Sequence, residues 1–195
     1  LAAFFDGRVD DGEVRETLAE VGIADIDSGV RSLLIFRDGA PFRHHTTEGR
    51  RVLAALAPTL VEALKQAPDA DLALLHFERF IEAVGSGTAF FDLFKQAPLA
   101  LVHLMRLLGS SEFLSEILIL HPELLDLLLL PDQAELSRPG RLVEESRRLV
   151  AVAPPGSPRL DALRRVKQAE EFRIGIRDLL GKADLDEVST GLTRL

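Results

Sequence analysis

Apolar residues recur at helical spacing along nearly the whole chain, and strict apolar–polar alternation is almost absent. The pattern predicts helices near residues 11–21, 26–37, 47–66, 69–85, 88–96, 98–108, 111–120, 122–130, 139–151, 158–181 and 185–195. Asp25, Thr47, Asp69, Ser111, Ser157 and Asp184 stand where a short side-chain oxygen can bond the free N–H groups of a first turn. Ser157-Pro158 is the strongest of these starts, a cap followed by proline at the first helical position. Pro58 should kink or split its helix, because it removes a backbone hydrogen bond and crowds the preceding turn. At His121-Pro122 one helix should end and the next begin, since the residue before proline is pushed out of the α region. The expected fold is all-α: a bundle of about ten helices with a long C-terminal helix and no sheet.

Composition agrees. Leu and Ala dominate, Tyr and Trp are missing, and the β-branched and aromatic residues favoured in strands are sparse. A chain of 195 residues can bury roughly 70% of its unfolded surface, enough for a substantial core. With no cysteine there is no disulfide framework or thiolate metal site, which fits a reducing cytoplasm. The formal charge of −8, from 31 acidic and 23 basic residues, argues against nucleic acid, whose binding rests on neutralised phosphates. No apolar run approaches the 18 or so residues of a membrane span.

Two seams interrupt the pattern, Arg37–Thr46 and the proline-rich Ala151–Pro158. The second divides the expected organisation into a bundle over 1–151, a joint over 152–157 and helices over 158–195. Beginning on Leu1 and stopping in mid-pattern, the chain is expected to be a segment of a longer protein.

Several stretches carry a resemblance. Gly109 to Pro131 reads G-S-S-E-F-L-S-E-I-L-I-L-H-P-E-L-L-D-L-L-L-L-P. Around it stand G-I-A-D-I-D-S-G-V-R-S-L at 22–33, T-T-E-G-R-R-V-L-A-A-L-A-P-T-L at 46–60 and D-A-D-L-A-L-L-H-F-E-R-F-I-E-A at 69–83. D-A-L-R-R-V-K-Q-A-E-E-F-R-I-G-I-R-D-L-L-G follows at 161–181, with L-D-E-V-S-T-G-L-T-R-L after it. Each block alone is a weak signal, because leucine-rich helices look alike. In this order they resemble the central part of the glutamine synthetase adenylyltransferase/deadenylylase family. The resemblance implies a parent enzyme that moves AMP from ATP to a tyrosine of glutamine synthetase and removes it by phosphorolysis. Magnesium and ATP would be its cofactors, and glutamine and the PII signal protein would control it. The first blocks would close the AMP-removing half and the last would lead into the AMP-adding half.

The catalytic domains of that family need a Gly-Gly or Gly-Ser turn about ten residues before an Asp-x-Asp pair on a strand, to cradle a triphosphate and hold magnesium. Asp25/Asp27, Asp69/Asp71 and Asp184/Asp186 have the carboxylate spacing. None follows such a turn, and each falls at an expected helix start, where it faces the helix dipole favourably. Gly85-Ser86 and Gly109-Ser110 are helix boundaries with no carboxylate pair behind them. No catalytic, cofactor or metal residue is therefore assigned to this segment. His44-His45 with Glu48 has a weak metal-ligand spacing and lacks a third ligand.

The candidates that remain are contacts with neighbouring domains. His76 falls in the apolar arc of Leu72, Ala73, Phe77, Phe80, Ala83 and Val84, away from Glu78, Arg79 and Glu82. It is either a hydrogen-bonded core histidine or an interdomain contact. Leu124, Leu125, Leu128 and Leu129 share one face, which leaves Asp126 solvated or paired. In the last long helix Ala162, Val166, Ala169, Phe172, Ile176 and Leu180 form a stripe with Arg173 at its edge and Arg177 beside it. Such arginines must snorkel or pair, locally with Glu170 or, together with Asp178, with the adjoining domain. Arg164, Arg165 and Lys167 read as a solvated face offset by Glu170 and Glu171.

The segment thus reads as a non-catalytic helical connection between flanking nucleotidyltransferase domains of a cytoplasmic enzyme. A stand-alone helical interaction module and the helical domain of a PII uridylyltransferase remain alternatives. No nucleic acid or membrane partner is expected.

Overall fold

A computed structural model of the chain describes residues 1–7, 11–38, 47–85, 87–129, 139–154 and 156–195. Among them it contains helices and turns and no strand. The elements are α1 (Ala2–Phe5), α2 (Asp11–Glu20), α3 (Ile26–Asp38), α4 (Thr47–Lys65), α5 (Ala70–Val84), α6 (Gly87–Gln96), α7 (Pro98–Leu108) and α8 (Glu112–Leu120). A 3-10 turn over Pro122–Leu125 leads into α9 (Asp126–Leu129), followed by α10 (Pro139–Val152), α11 (Ser157–Leu179) and α12 (Leu185–Thr193). Of the expected features, residues 39–46 of the first seam with His44 and His45, Ser86, Leu130-Pro131 and Pro155 lie outside the described residues.

Most helix starts follow from their caps. Asp25 accepts from the Ser28 N–H at 3.0 Å, Asp69 from Leu72 at 2.9 Å and Ser111 from Leu114 at 3.2 Å. Asp184 and Glu187 form a reciprocal capping box at the head of α12. Two expected caps differ. Thr47 is already the first helical residue of α4. Ser157 lies inside α11, because Gly156, at φ 96°, takes the cap position that only glycine occupies without strain.

Other expectations are corrected by packing. α4 runs unbroken through Pro58, whose ring faces solvent while Leu53, Leu56, Leu60 and Leu64 bury the opposite face. The helix expected over 122–130 opens as a 3-10 turn, a common form of helix start. α1 is four residues long, too short to show a period. Ala83, assigned to the apolar arc of α5, is exposed.

The chain divides into two compact units, Leu1–Pro122 and Glu123–Leu195. In the first, α4 packs against α1, α6 and α7, and α5 against α3, α7 and α8. Its centre is aromatic. Phe36 and Phe77 meet edge to face with centroids 5.1 Å apart, Phe77 and Phe94 lie at 6.3 Å, and Phe80 and Phe90 at 5.7 Å. Each buried side chain of this size contributes roughly 1.5–3 kcal/mol. In the second unit α10 and α11 pack on one another, and α11 also meets α9 and α12. Phe172, Ile174 and Ile176 are buried there, as are Leu125 and Leu128. The proline-rich stretch 152–157 joins α10 to α11 within this unit.

Candidate functional site

The Gly109–Ser115 stretch is a crossing point of three helices in the first unit. A Cβ at Gly109 would lie 2.6 Å from the Asp69 carbonyl oxygen, so only glycine lets the end of α7 pass the start of α5 this closely. Ser110 donates to the Arg106 carbonyl at 2.6 Å, and Ser111 caps α8. The buried Ser115 hydroxyl donates to the Ser111 carbonyl at 2.8 Å. His76, 2% exposed, donates from Nδ1 to the Leu108 carbonyl at 2.9 Å. A carbonyl cannot donate, so the proton sits on Nδ1. The last turn of α7 thereby gains a partner from α5, as an unsatisfied buried carbonyl requires.

One carboxylate of each Asp-x-Asp pair, Asp25, Asp69 or Asp184, caps a helix start. Asp25 accepts from both the hydroxyl and the N–H of Ser28. These bonds, the hydroxyl's first, hold its carboxyl below the usual carboxylate range, and Arg31 adds to the effect. Asp27 pairs with Arg15 at 2.6 Å. Asp71 accepts from the Ala24 and Asp25 N–H groups at 2.8 and 2.9 Å, tying the start of α3 to α5. Among the described residues no three His, Asp or Glu side chains stand together as metal ligands.

Of the other predicted positions, Asp126 is exposed in the first turn of α9, while Leu125 and Leu128 are buried. Arg173 pairs with Glu170 at 2.8 Å. Glu170 is itself buried, 4% exposed, and so does not belong to the solvated face assigned to it. Burial of that carboxylate is sustained by a cation one turn along the helix. Glu171 does offset Lys167, at 2.7 Å, and Arg164 pairs with Asp161 at 2.9 Å. Arg177 donates from Nη2 to the Lys182 carbonyl at 2.8 Å and lies 3.6 Å from Glu187. Asp178 is exposed.

Some polar connections were not anticipated. Ser32 donates to Glu78, and Arg79 pairs with Glu116 at 2.6 Å. Both pairs join separate helices, and neither has a signal in local spacing.

These observations define an all-helical segment whose polar residues serve helix starts, turns and ion pairs. The family described as glutamate-ammonia ligase adenylyltransferase matches residues 101–195. Over nearly the whole chain the sequence is similar to bifunctional glutamine synthetase adenylyltransferase/adenylyl-removing enzymes. That of Thioalkalivibrio sulfidiphilus is 29% identical over 99% of this chain, and that of Chromobacterium violaceum 31% over 91%. That of Nitrosomonas europaea is 30% identical over 92%. The chain spans about 20% of the length of each of these relatives. The chain is similar to one segment of these enzymes. No described helix is long and apolar enough to cross a membrane.

Proposed function

We propose that the chain is a non-catalytic helical segment of a cytoplasmic enzyme that adenylylates and deadenylylates glutamine synthetase. The observation that carries this reading is similarity along nearly the full chain to about a fifth of each bifunctional relative. The use of Asp25, Asp69 and Asp184, one carboxylate of each Asp-x-Asp pair, as helix caps supports it. Magnesium and ATP would be bound elsewhere in the longer protein, by flanking nucleotidyltransferase domains. Glutamine synthetase and the PII signal protein would be partners of the whole enzyme. The segment's task is to set the separation of two active sites, with the exposed Asp126 and Asp178 as contacts for the flanking domains.

The test has two arms. Incubated with labelled ATP and glutamine synthetase, the isolated chain transfers no AMP; stoichiometric transfer would overturn the non-catalytic assignment. In a full-length enzyme carrying this segment, replacing Pro154, Pro155 and Pro158 by glycine leaves both activities intact. The replacement weakens their response to glutamine and PII, because glycine loosens a connection that proline stiffens. Unchanged regulation would remove the joint from the coupling.

A further inference from the structure

The end of α11 is closed by a turn that engages Arg177 twice. Its backbone carbonyl accepts the Lys182 N–H at 2.7 Å, while its guanidinium donates to the Lys182 carbonyl at 2.8 Å. Gly181 sits between them at φ 66°, with its N–H bonded to the Asp178 carbonyl at 2.9 Å. This is the glycine-closed helix ending whose left-handed residue other side chains adopt only with strain. The same guanidinium lies 3.6 Å from Glu187, which belongs to the capping box of α12. Arg177 is thus the one side chain seen to reach from α11 across the turn to the head of α12 among the described hydrogen bonds and ion pairs.

Apolar packing does little to hold α12. None of its side chains is buried; Leu185 is 83% and Leu192 50% exposed. Arg177 is also incompletely satisfied, because its buried Nε finds no protein acceptor among the described residues. A buried donor without a partner lowers the free energy advantage of the closed arrangement.

We infer that α12 is a releasable arm, hinged at Gly181 and held against α11 by the Arg177 side chain. At nine residues α12 is too short to hold its own hydrogen bonds once it leaves α11, capping box notwithstanding, so release also exposes its amides to exchange. Leu195, just beyond α12, forms one wall of a cleft of about 350 Å³ with Leu142, Leu160 and Leu163. Movement of α12 would withdraw that wall and extend the apolar surface of α10 and α11. The inference stands on local geometry and is independent of the adenylyltransferase reading.

Hydrogen exchange resolved by helix tests it on the whole 195-residue chain. In Arg177→Gln the amides of α12 and residues 180–184 exchange roughly tenfold faster than in the parent chain, the factor expected for losing one hydrogen bond to a charged group. The amides of α10 and α11 before residue 174 are unchanged. Arg177→Lys, which keeps the charge but not the fork, gives an intermediate rate and carries the test if the glutamine variant does not fold. Equal α12 protection in the parent chain and the variants overturns the inference. So does a loss of protection spread evenly through α10 and α11, which would make Arg177 a support of the whole unit.

Discussion

The two compact units use the same helical vocabulary and finish their cores differently. In Leu1–Pro122 a cluster of phenylalanines fills the space among α3, α5 and α6, and polar ties such as Asp71 to Ala24 lock helix starts to one another. In Glu123–Leu195 the largest buried side chain is Phe172, while Val152, Leu160, Leu163 and Leu185 remain exposed. Of the exposed large hydrophobic side chains among the described residues, seven of eleven belong to this smaller unit. Sequence similarity does not follow the same division, since the family match at 101–195 begins inside the first unit. Completeness of the core and strength of family signature are therefore separate properties of this chain.

The largest expected break in the contrast comes from paired truncations. Phe77→Ala should cost about 3–5 kcal/mol, because it removes a buried ring and leaves a cavity. Leu185→Ala should stay within about 0.5 kcal/mol, as for an ordinary surface change. With no Trp or Tyr in the chain, helical circular dichroism in urea is the suitable probe. Comparable losses in the two variants would mean that α12 is part of a core.

A smaller effect sharpens the account of the crossing point. Gly109→Ala should cost about 1–3 kcal/mol, since backbone must yield to the added methyl group. Hydrogen exchange should show the damage in α5, α7 and α8 and not in α11. A neutral result would show that the two helix ends move apart freely.

The smallest effect concerns acid. Asp25 is held below its ordinary range by Ser28, so its contribution to stability is present above the unfolded carboxyl range. That contribution is lost as pH falls through the lowered folded value. Carbon-detected NMR titration should find Asp25 ionised at pH values where free aspartate is already substantially protonated, and Ser28→Ala should move it upward. An unchanged titration in Ser28→Ala would break the assignment of cause.

The helices were legible where period and cap coincide. The bounds expected from the sequence for α3, α5, α7 and α8 lie within a residue of those observed, because Asp25, Asp69 and Ser111 cap and Pro98 starts what they precede. The pairing of Arg173 with Glu170 was legible from their spacing, whereas the burial of Glu170, placed with a solvated face, depends on neighbouring helices that no local pattern reveals. The links from Ser32 to Glu78 and from Arg79 to Glu116 join separate helices, a relation no local window contains. The glycine at 109 was read as a boundary; its closeness to the Asp69 carbonyl belongs to tertiary structure alone.

The Asp71 tie has a consequence for the order in which the chain acquires its shape. The N–H groups of Ala24 and Asp25 find their acceptor 47 and 46 residues away, on a helix made only after α3 and α4 have been synthesised. Closing a loop of that length costs entropy before any contact repays it. Asp25 can cap α3 as soon as its own turn forms, whereas the segment leading into α3 must wait for α5. The α2–α3 pair can thus form from its own residues, while its fastening to α5 requires a carboxylate from far along the chain.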